Sequence, residues 1–274
     1  MRVASLHVYP VKGARGIALE RAEVLASGIR HDRRFMVLDA DGTFVTQREH
    51  PRMALVDVAL ADGELTLSAP APAGGSALRA TVPLEPDGPM RRVRVWNDEV
   101  DAVDVGGEAA AFFSEYLARR CSVVFMPYDV LRPVEEPYGR PGDRVGFADA
   151  YPLLVASLAS LADLNARLEA KGEPPVPMDR FRPSVVVEGG EPWAEDRATR
   201  MRIGSLVVRT PKRCARCQVT TVNQATAERG KEPLKTLASY RAEANEVYFA
   251  VNAIPELDPT TSVTIRVGDE VTYE

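Results

Sequence analysis

Apolar and polar positions alternate in short runs along the first third of this chain, and turn residues separate the runs. Met1 to Ser5 leads directly into an alternating segment that predicts a first strand. Arg34 to Asp39 is an apolar run, Asp41-Gly42 is a turn signal, and Thr43 to Thr46 are expected to return as a hairpin. Met53 to Leu60 is expected to pair with Glu64 to Leu67 across Asp62-Gly63 in a second hairpin. Ala69 to Pro89, rich in Pro, Gly and Ala, reads as an irregular exposed connection. Arg92 to Val105 regains strand character around Trp96, and short strands at this spacing favour a small barrel or sandwich.

Gly106-Gly107 interrupts that pattern. Glu108 to Arg119 then has helical spacing, with Phe112, Phe113, Tyr116 and Leu117 on one broad face. A domain boundary is expected near this helix. Cys121 to Met126 reads as a strand. A second helix is expected from Ser157 or Ser160, carrying Leu161, Leu164 and Leu168, with Gly172 just beyond its end. Val185 to Val187 and Met201 to Val208 read as strands, and Pro233 suits the first turn of a short helix bearing Leu234, Leu237 and Tyr240. Val263 to Tyr273, broken at Gly268-Asp269, reads as a closing hairpin.

Composition narrows the function. The chain has 274 residues, 45% hydrophobic and 27% charged, which is enough apolar material for a sizeable core. A net charge of −5 argues against a general nucleic-acid binder, so a basic cluster is expected to serve a local anionic ligand. Three unevenly spaced cysteines do not make a disulfide framework. No stretch reaches the roughly 18 apolar residues of a membrane span. A reducing cytoplasm, without membrane attachment, is the expected setting.

The most informative segment is Pro211-Lys212-Arg213-Cys214-Ala215-Arg216-Cys217, followed by Gln218 to Val222. Thiolates are soft ligands, and the neighbouring cations favour the ionised sulfur and attract an anion. Cys-x-x-Cys alone leaves several readings open. A closed zinc site is poorly supplied, because Cys121, His7, His31 and His50 form no second close pair. A redox dithiol belongs at a strand-to-helix turn, whereas this pair leads into the strand-like Gln218 to Val222. Two buried cysteines of no chemical consequence are the plain alternative.

Longer motifs carry a resemblance. Arg180-Phe181-Arg182-Pro183-Ser184, then Pro192-Trp193-Ala194-Glu195-Asp196, the cysteine pair with Thr220-Thr221, and Lys231-Glu232-Pro233-Leu234 resemble a MOSC domain. His7-Val8-Tyr9-Pro10-Val11-Lys12, His31-Asp32-Arg33-Arg34-Phe35 and Thr46-Gln47-Arg48-Glu49-His50-Pro51-Arg52 resemble the β-barrel domain that precedes it in the amidoxime-reducing proteins. The resemblance implies a mainly β (α+β) fold. An N-terminal β-barrel-like domain would span residues 1–118, and a β-barrel MOSC domain with a few peripheral helices would span 119–274.

It also implies a molybdenum–pyranopterin cofactor, with Cys217 as metal ligand and catalytic centre and Cys214 as a neighbour. Lys12, Gly13, Arg33, Arg34, Asp149, Tyr151, Arg182, Ser184, Ala215 and Arg216 are the expected cofactor contacts. Gly13 and Ser184 stand where relatives often carry Ser and Asn, and Ala215 stands where some relatives carry Ser. The implied activity is reduction of small N-hydroxylated substrates by oxygen-atom transfer. Its electrons would come from an external ferredoxin, flavodoxin-like protein or flavin reductase, since three cysteines cannot hold a four-cysteine cluster. The alternative is a non-catalytic carrier of the cofactor for sulfuration or delivery.

Overall fold

Val3, Leu6 and Val8 lie buried along the strand Arg2–Val8, and that apolar face sets the first strand of the chain into its largest sheet. The computed structural model describes residues 1–72 and 74–274. The chain is mainly β, with three α-helices and four sheets among the described residues. The nine-stranded sheet runs in the order Val271–Tyr273, Arg200–Ile203, Leu206–Ala215, Glu246–Pro255, Leu153–Ser157, Val185–Glu188, Arg2–Val8 and Ile17–Leu19. The short strand Ala242–Glu243 attaches to Glu246–Pro255. A four-stranded sheet joins Phe35–Asp39, Cys121–Phe125, Asp98–Asp104 and Met90–Val95. The hydrogen-bonded orders are open, so the β elements are layered sheets and none of the four closes on itself as a barrel.

Helix positions follow their signals. Helix α1 (Gly107–Leu117) buries Phe112, Phe113 and Tyr116 and ends at Ala118 in the left-handed conformation. Helix α2 (Leu158–Glu169) begins at Ser157, whose hydroxyl accepts from Ala159 N–H at 3.2 Å and Ser160 N–H at 3.4 Å. Such a cap contributes about 1 kcal/mol. Leu161, Leu164 and Leu168 pack with Phe181, Phe249 and Leu237, the last from helix α3 (Leu234–Ala238). Phe181 and Phe249 stack with centroids 3.7 Å apart.

Several expectations require correction. Thr43 to Thr46 forms only a bridge, Leu38 to Phe44, because Phe35–Asp39 pairs instead with Cys121–Phe125. Met53 lies in the 3-10 turn Pro51–Leu55, so the second hairpin begins at Asp57 and turns at Asp62-Gly63 as expected. The stretch 69–89 contains the strand Leu78–Pro83, whose alternating burial pairs it with Glu64–Ala69; Ala73 lies outside the described residues. Arg92 to Val105 is two strands folded at Trp96-Asn97, and Met201 to Val208 likewise turns at Gly204-Ser205. Gln218–Thr221 is a 3-10 turn, not a strand. Val263–Arg266 pairs with Arg21–Leu25 and Val271–Tyr273 with Arg200–Ile203, so the last two strands part company at Gly268.

Candidate active site

Backbone stretches distant in sequence converge on one cleft of about 160 Å3. Lys12 and Gly13 follow the first strand, where Lys12 N–H donates to Phe35 O at 2.8 Å. Asp149 to Pro152 immediately precede Leu153–Ser157, and Arg182 and Ser184 immediately precede Val185–Glu188. Cys214 lies at the end of Leu206–Ala215. That strand shifts register against Glu246–Pro255 between Arg209 and Lys212, and again between Arg213 and Ala215. Irregularities of this kind bend a strand and re-aim its side chains. Cys217 follows at the start of the 3-10 turn, and its carbonyl accepts from Thr220 N–H at 3.2 Å and Thr220 Oγ1 at 3.1 Å.

Charge defines the cleft. Lys12, Arg33, Arg48, Arg182 and Arg216 line it against one carboxylate, Asp149. Lys12 is 5% exposed, and its Nζ donates to Phe147 O at 2.7 Å and Asp149 Oδ1 at 2.6 Å. Arg48 donates to the other Asp149 oxygen at 3.0 Å, and it lines the same cleft as Cys217. Burial pushes the Asp149 carboxyl up, but the Lys12 and Arg48 cations outweigh it and hold the group well below the usual carboxylate range. Asp149 is therefore ionised, and it ties the two cations together.

Arg33 and Arg182 both lie over Tyr9, at 4.2 and 4.4 Å from its ring centroid. Both take positive φ, 45° and 56°, a region that disfavours residues with a Cβ. Their pairing differs. Arg33 donates to buried Asp32 at 2.5 Å, and Asp32 also accepts from Tyr9 N–H at 2.8 Å. The Arg182 guanidinium has no ion pair or protein hydrogen bond among the described residues. Burial, with the like charge of Arg33 nearby, lowers it from 12.5 to about 10. Arg216 places Nη1 2.9 Å from Cys214 Sγ and donates from Nη2 to Phe181 O at 2.7 Å, while its Nε is buried without a partner. Tyr151 OH donates to Glu135 at 2.9 Å, and Ser184 Oγ accepts from Leu154 N–H at 3.3 Å.

Nine of the residues expected from sequence thus share the cleft: Lys12, Gly13, Arg33, Asp149, Tyr151, Arg182, Ser184, Arg216 and Cys217. Arg34 and Ala215 are not among its lining residues. Arg34 is buried elsewhere, donating to Ser27 Oγ and stacked 4.2 Å over Tyr128. Ala215 is exposed at its strand end. His31 faces Tyr128, with Nδ1 3.0 Å from the phenol oxygen, and Cys121 is buried with its thiol pushed up by burial.

The MOSC N-terminal beta barrel domain model matches residues 1–120, and the MOSC domain model matches residues 142–272. Mitochondrial amidoxime-reducing component 1 of Mus musculus is 36% identical, over 98% of this chain and 81% of that protein. The Homo sapiens component 1 is 35% identical, over 87% and 72% respectively. The chain belongs to the amidoxime-reducing component family of MOSC proteins. Mitochondrial amidoxime reducing component 2 of Bos taurus is also similar, 34% identical over 87% of this chain and 72% of that protein.

This family member also brings residues to the cleft that sequence reasoning passed over. Gln47 donates to Gly13 O at 2.8 Å and exchanges amide hydrogen bonds with Gln224 at 3.1 and 2.9 Å. Arg48 sits within a motif that carried the resemblance, yet nothing local marks it as a partner of Asp149. Asn252 had a readable signal, since it is the one polar residue in the run Phe249 to Ile254 and it faces the cleft. No helix is long and apolar enough to cross a membrane among the described residues.

Proposed function

We propose that this protein reduces N-hydroxylated compounds, such as amidoximes, hydroxylamines and N-hydroxylated bases, with a molybdenum–pyranopterin cofactor seated in the Cys217 cleft. The observation that carries this reading is the excess of five cations over one carboxylate around a cysteine. No cluster of three or more His, Cys, Asp or Glu side chains suited to a metal occurs among the described residues. A metal at Cys217 therefore needs ligands that arrive with it. The unpaired Arg182 guanidinium and the unpartnered Arg216 Nε suit an anionic, hydrogen-bonding organic group, so the residues present fit such a cofactor.

In this reading Cys217 supplies the soft protein ligand. Lys12 and Arg182 hold the anionic end, and Gly13, Arg33, Asp149, Tyr151, Ser184 and Arg216 contact the remainder. Arg34 and Ala215 are left out because they do not line the cleft. The bound group would supply two-electron oxygen-atom-transfer chemistry. The chain's own part is to orient it through Arg182 and Arg216. Arg48 is kept ionised beside Cys217 by Asp149, where it can receive the polar end of a substrate.

Electrons would come from a separate protein, a ferredoxin, flavodoxin-like protein or flavin reductase. The three free cysteines suit a reducing compartment, the cytoplasm in our reading. Molybdenum and pterin analysis of the purified protein, followed by dithionite–viologen-driven reduction of benzamidoxime, tests the proposal. Stoichiometric cofactor with benzamidine formation is expected. Molybdenum-loaded protein that turns over no N-hydroxylated compound would overturn it.

A further inference from the structure

Trp96 is the side chain most at odds with its position. It occupies the turn between Met90–Val95 and Asp98–Asp104 with φ of 56°, where Asn or Gly is favoured. The residue is 40% exposed. Four contacts nonetheless fix the indole. Phe44 meets it edge-on at 4.9 Å, the Arg48 guanidinium lies 4.6 Å from the ring centroid, Lys12 Nζ lies 5.8 Å away, and Nε1–H donates to Asp149 at 3.3 Å. A disfavoured backbone that holds an exposed aromatic ring this firmly points to use of the ring's free surface.

Trp96 lines an outer depression of about 980 Å3 together with Leu131, itself 53% exposed, and also a second one of about 890 Å3 that Phe44 lines. Arg48, Asp149 and Ala150 line both the larger depression and the Cys217 cleft, so the two spaces adjoin across them. The rim carboxylates Asp98, Glu135 and Asp143 are already paired with Arg132, Lys212 and Arg209. Glu136 is the rim carboxylate without an ion pair among the described residues, and its charge disfavours an anionic ligand. Recognition of a ligand's body there falls to the apolar faces of Trp96 and Leu131.

We infer that this depression is the substrate's entry subsite. A planar, conjugated body stacks on the exposed surface of Trp96 beside Leu131, while its N-hydroxyl end passes Arg48 and Asp149 toward Cys217. The inference rests on the reductase reading above. It narrows the substrate class to flat, neutral or cationic N-hydroxylated compounds, favoured over small aliphatic hydroxylamines.

Two measurements on the cofactor-loaded protein test it. The first is tryptophan fluorescence during titration with benzamidoxime, without reductant so that no turnover occurs. The chain has two tryptophans, so Trp96→Phe leaves Trp193 as background. Saturable quenching in the wild type that is lost in Trp96→Phe is the expected result; equal quenching in both overturns the inference. The second is the ratio of kcat/KM for benzamidoxime over hydroxylamine. It should fall roughly fivefold in Trp96→Ala, the scale of one aromatic contact, and about twofold in the surface variant Leu131→Ser. An unchanged ratio in both variants overturns the subsite. If the loaded wild type reduces neither compound, the reductase reading fails on its own, and the quenching still decides whether Trp96 binds a planar ligand.

Discussion

Replacing Arg182 with Ala should strengthen the cofactor-free protein while weakening its hold on cofactor, an inversion that an ordinary core residue would not show. The guanidinium has no ion pair or protein hydrogen bond among the described residues to offset its burial, Asp32 and Asp149 acting on it only at longer range, and its fall from 12.5 to about 10 corresponds to about 3 kcal/mol against the charged form. Removing it relieves that penalty but forfeits the contact with Tyr9, 4.4 Å away and worth roughly 1–2 kcal/mol. The net effect is a gain of about 1–2 kcal/mol in the empty protein, or a few degrees in Tm. In the loaded protein a charge-assisted contact worth roughly 1.5–3 kcal/mol disappears, so cofactor affinity should drop roughly ten- to a hundredfold. Arg182→Lys should recover only part of it, since the planar fork is gone. Thermal melts of cofactor-free protein, paired with molybdenum and pterin content after dialysis, read both effects. An Arg182→Ala protein that melts lower when empty yet retains wild-type cofactor would show that Arg182 is an ordinary core residue.

Other perturbations separate the remaining roles. Cys217→Ser should abolish benzamidoxime reduction, whereas Cys214→Ser should keep most of its metal and turnover; the reverse order in turnover assays would exchange the two assignments. Asp149→Asn should destabilise the protein at pH 7, because it strips buried Lys12 of its counter-charge. The Asp149 carboxyl titrates lower folded than unfolded, so its contribution is fully present above the unfolded value of about 4 and fades as pH falls below it. Denaturation of wild type and Asp149→Asn should therefore differ most at neutral pH and converge in acid, and a gap that widens in acid would contradict the ion-pair account. Phe249→Ala should cost about 3–5 kcal/mol in urea titrations by removing the stack that supports Phe181. Purified protein should show no turnover with NADPH alone but should turn over with dithionite and viologen, and NADPH-driven turnover would reveal an electron route through this chain.

Local chemistry was legible in the sequence wherever a turn or cap depends on residues close together. Asp62-Gly63 both take positive φ, as their hairpin requires, and Ser157 caps its helix through neighbours two and three residues on. Partner choice was not legible. Val263–Arg266 and Val271–Tyr273 flank a convincing turn at Gly268, yet each finds a different partner far back in the chain. The candidate site divides in the same way. Arg33 and Arg34 are adjacent in one motif, but only Arg33 reaches the cleft, while Arg34 is spent on Ser27 and Tyr128. Arg48 meets Asp149 across 101 positions, a pairing that no local pattern encodes.

Molybdenum X-ray absorption on the cofactor-loaded protein, comparing wild type with Cys214→Ser and Cys217→Ser at matched metal content, decides whether Cys217 is the metal ligand. Cys217→Ser should have one sulfur neighbour fewer at the metal, and Cys214→Ser should match the wild type. Loss of that sulfur in Cys214→Ser, or identical spectra from all three proteins, would contradict that assignment.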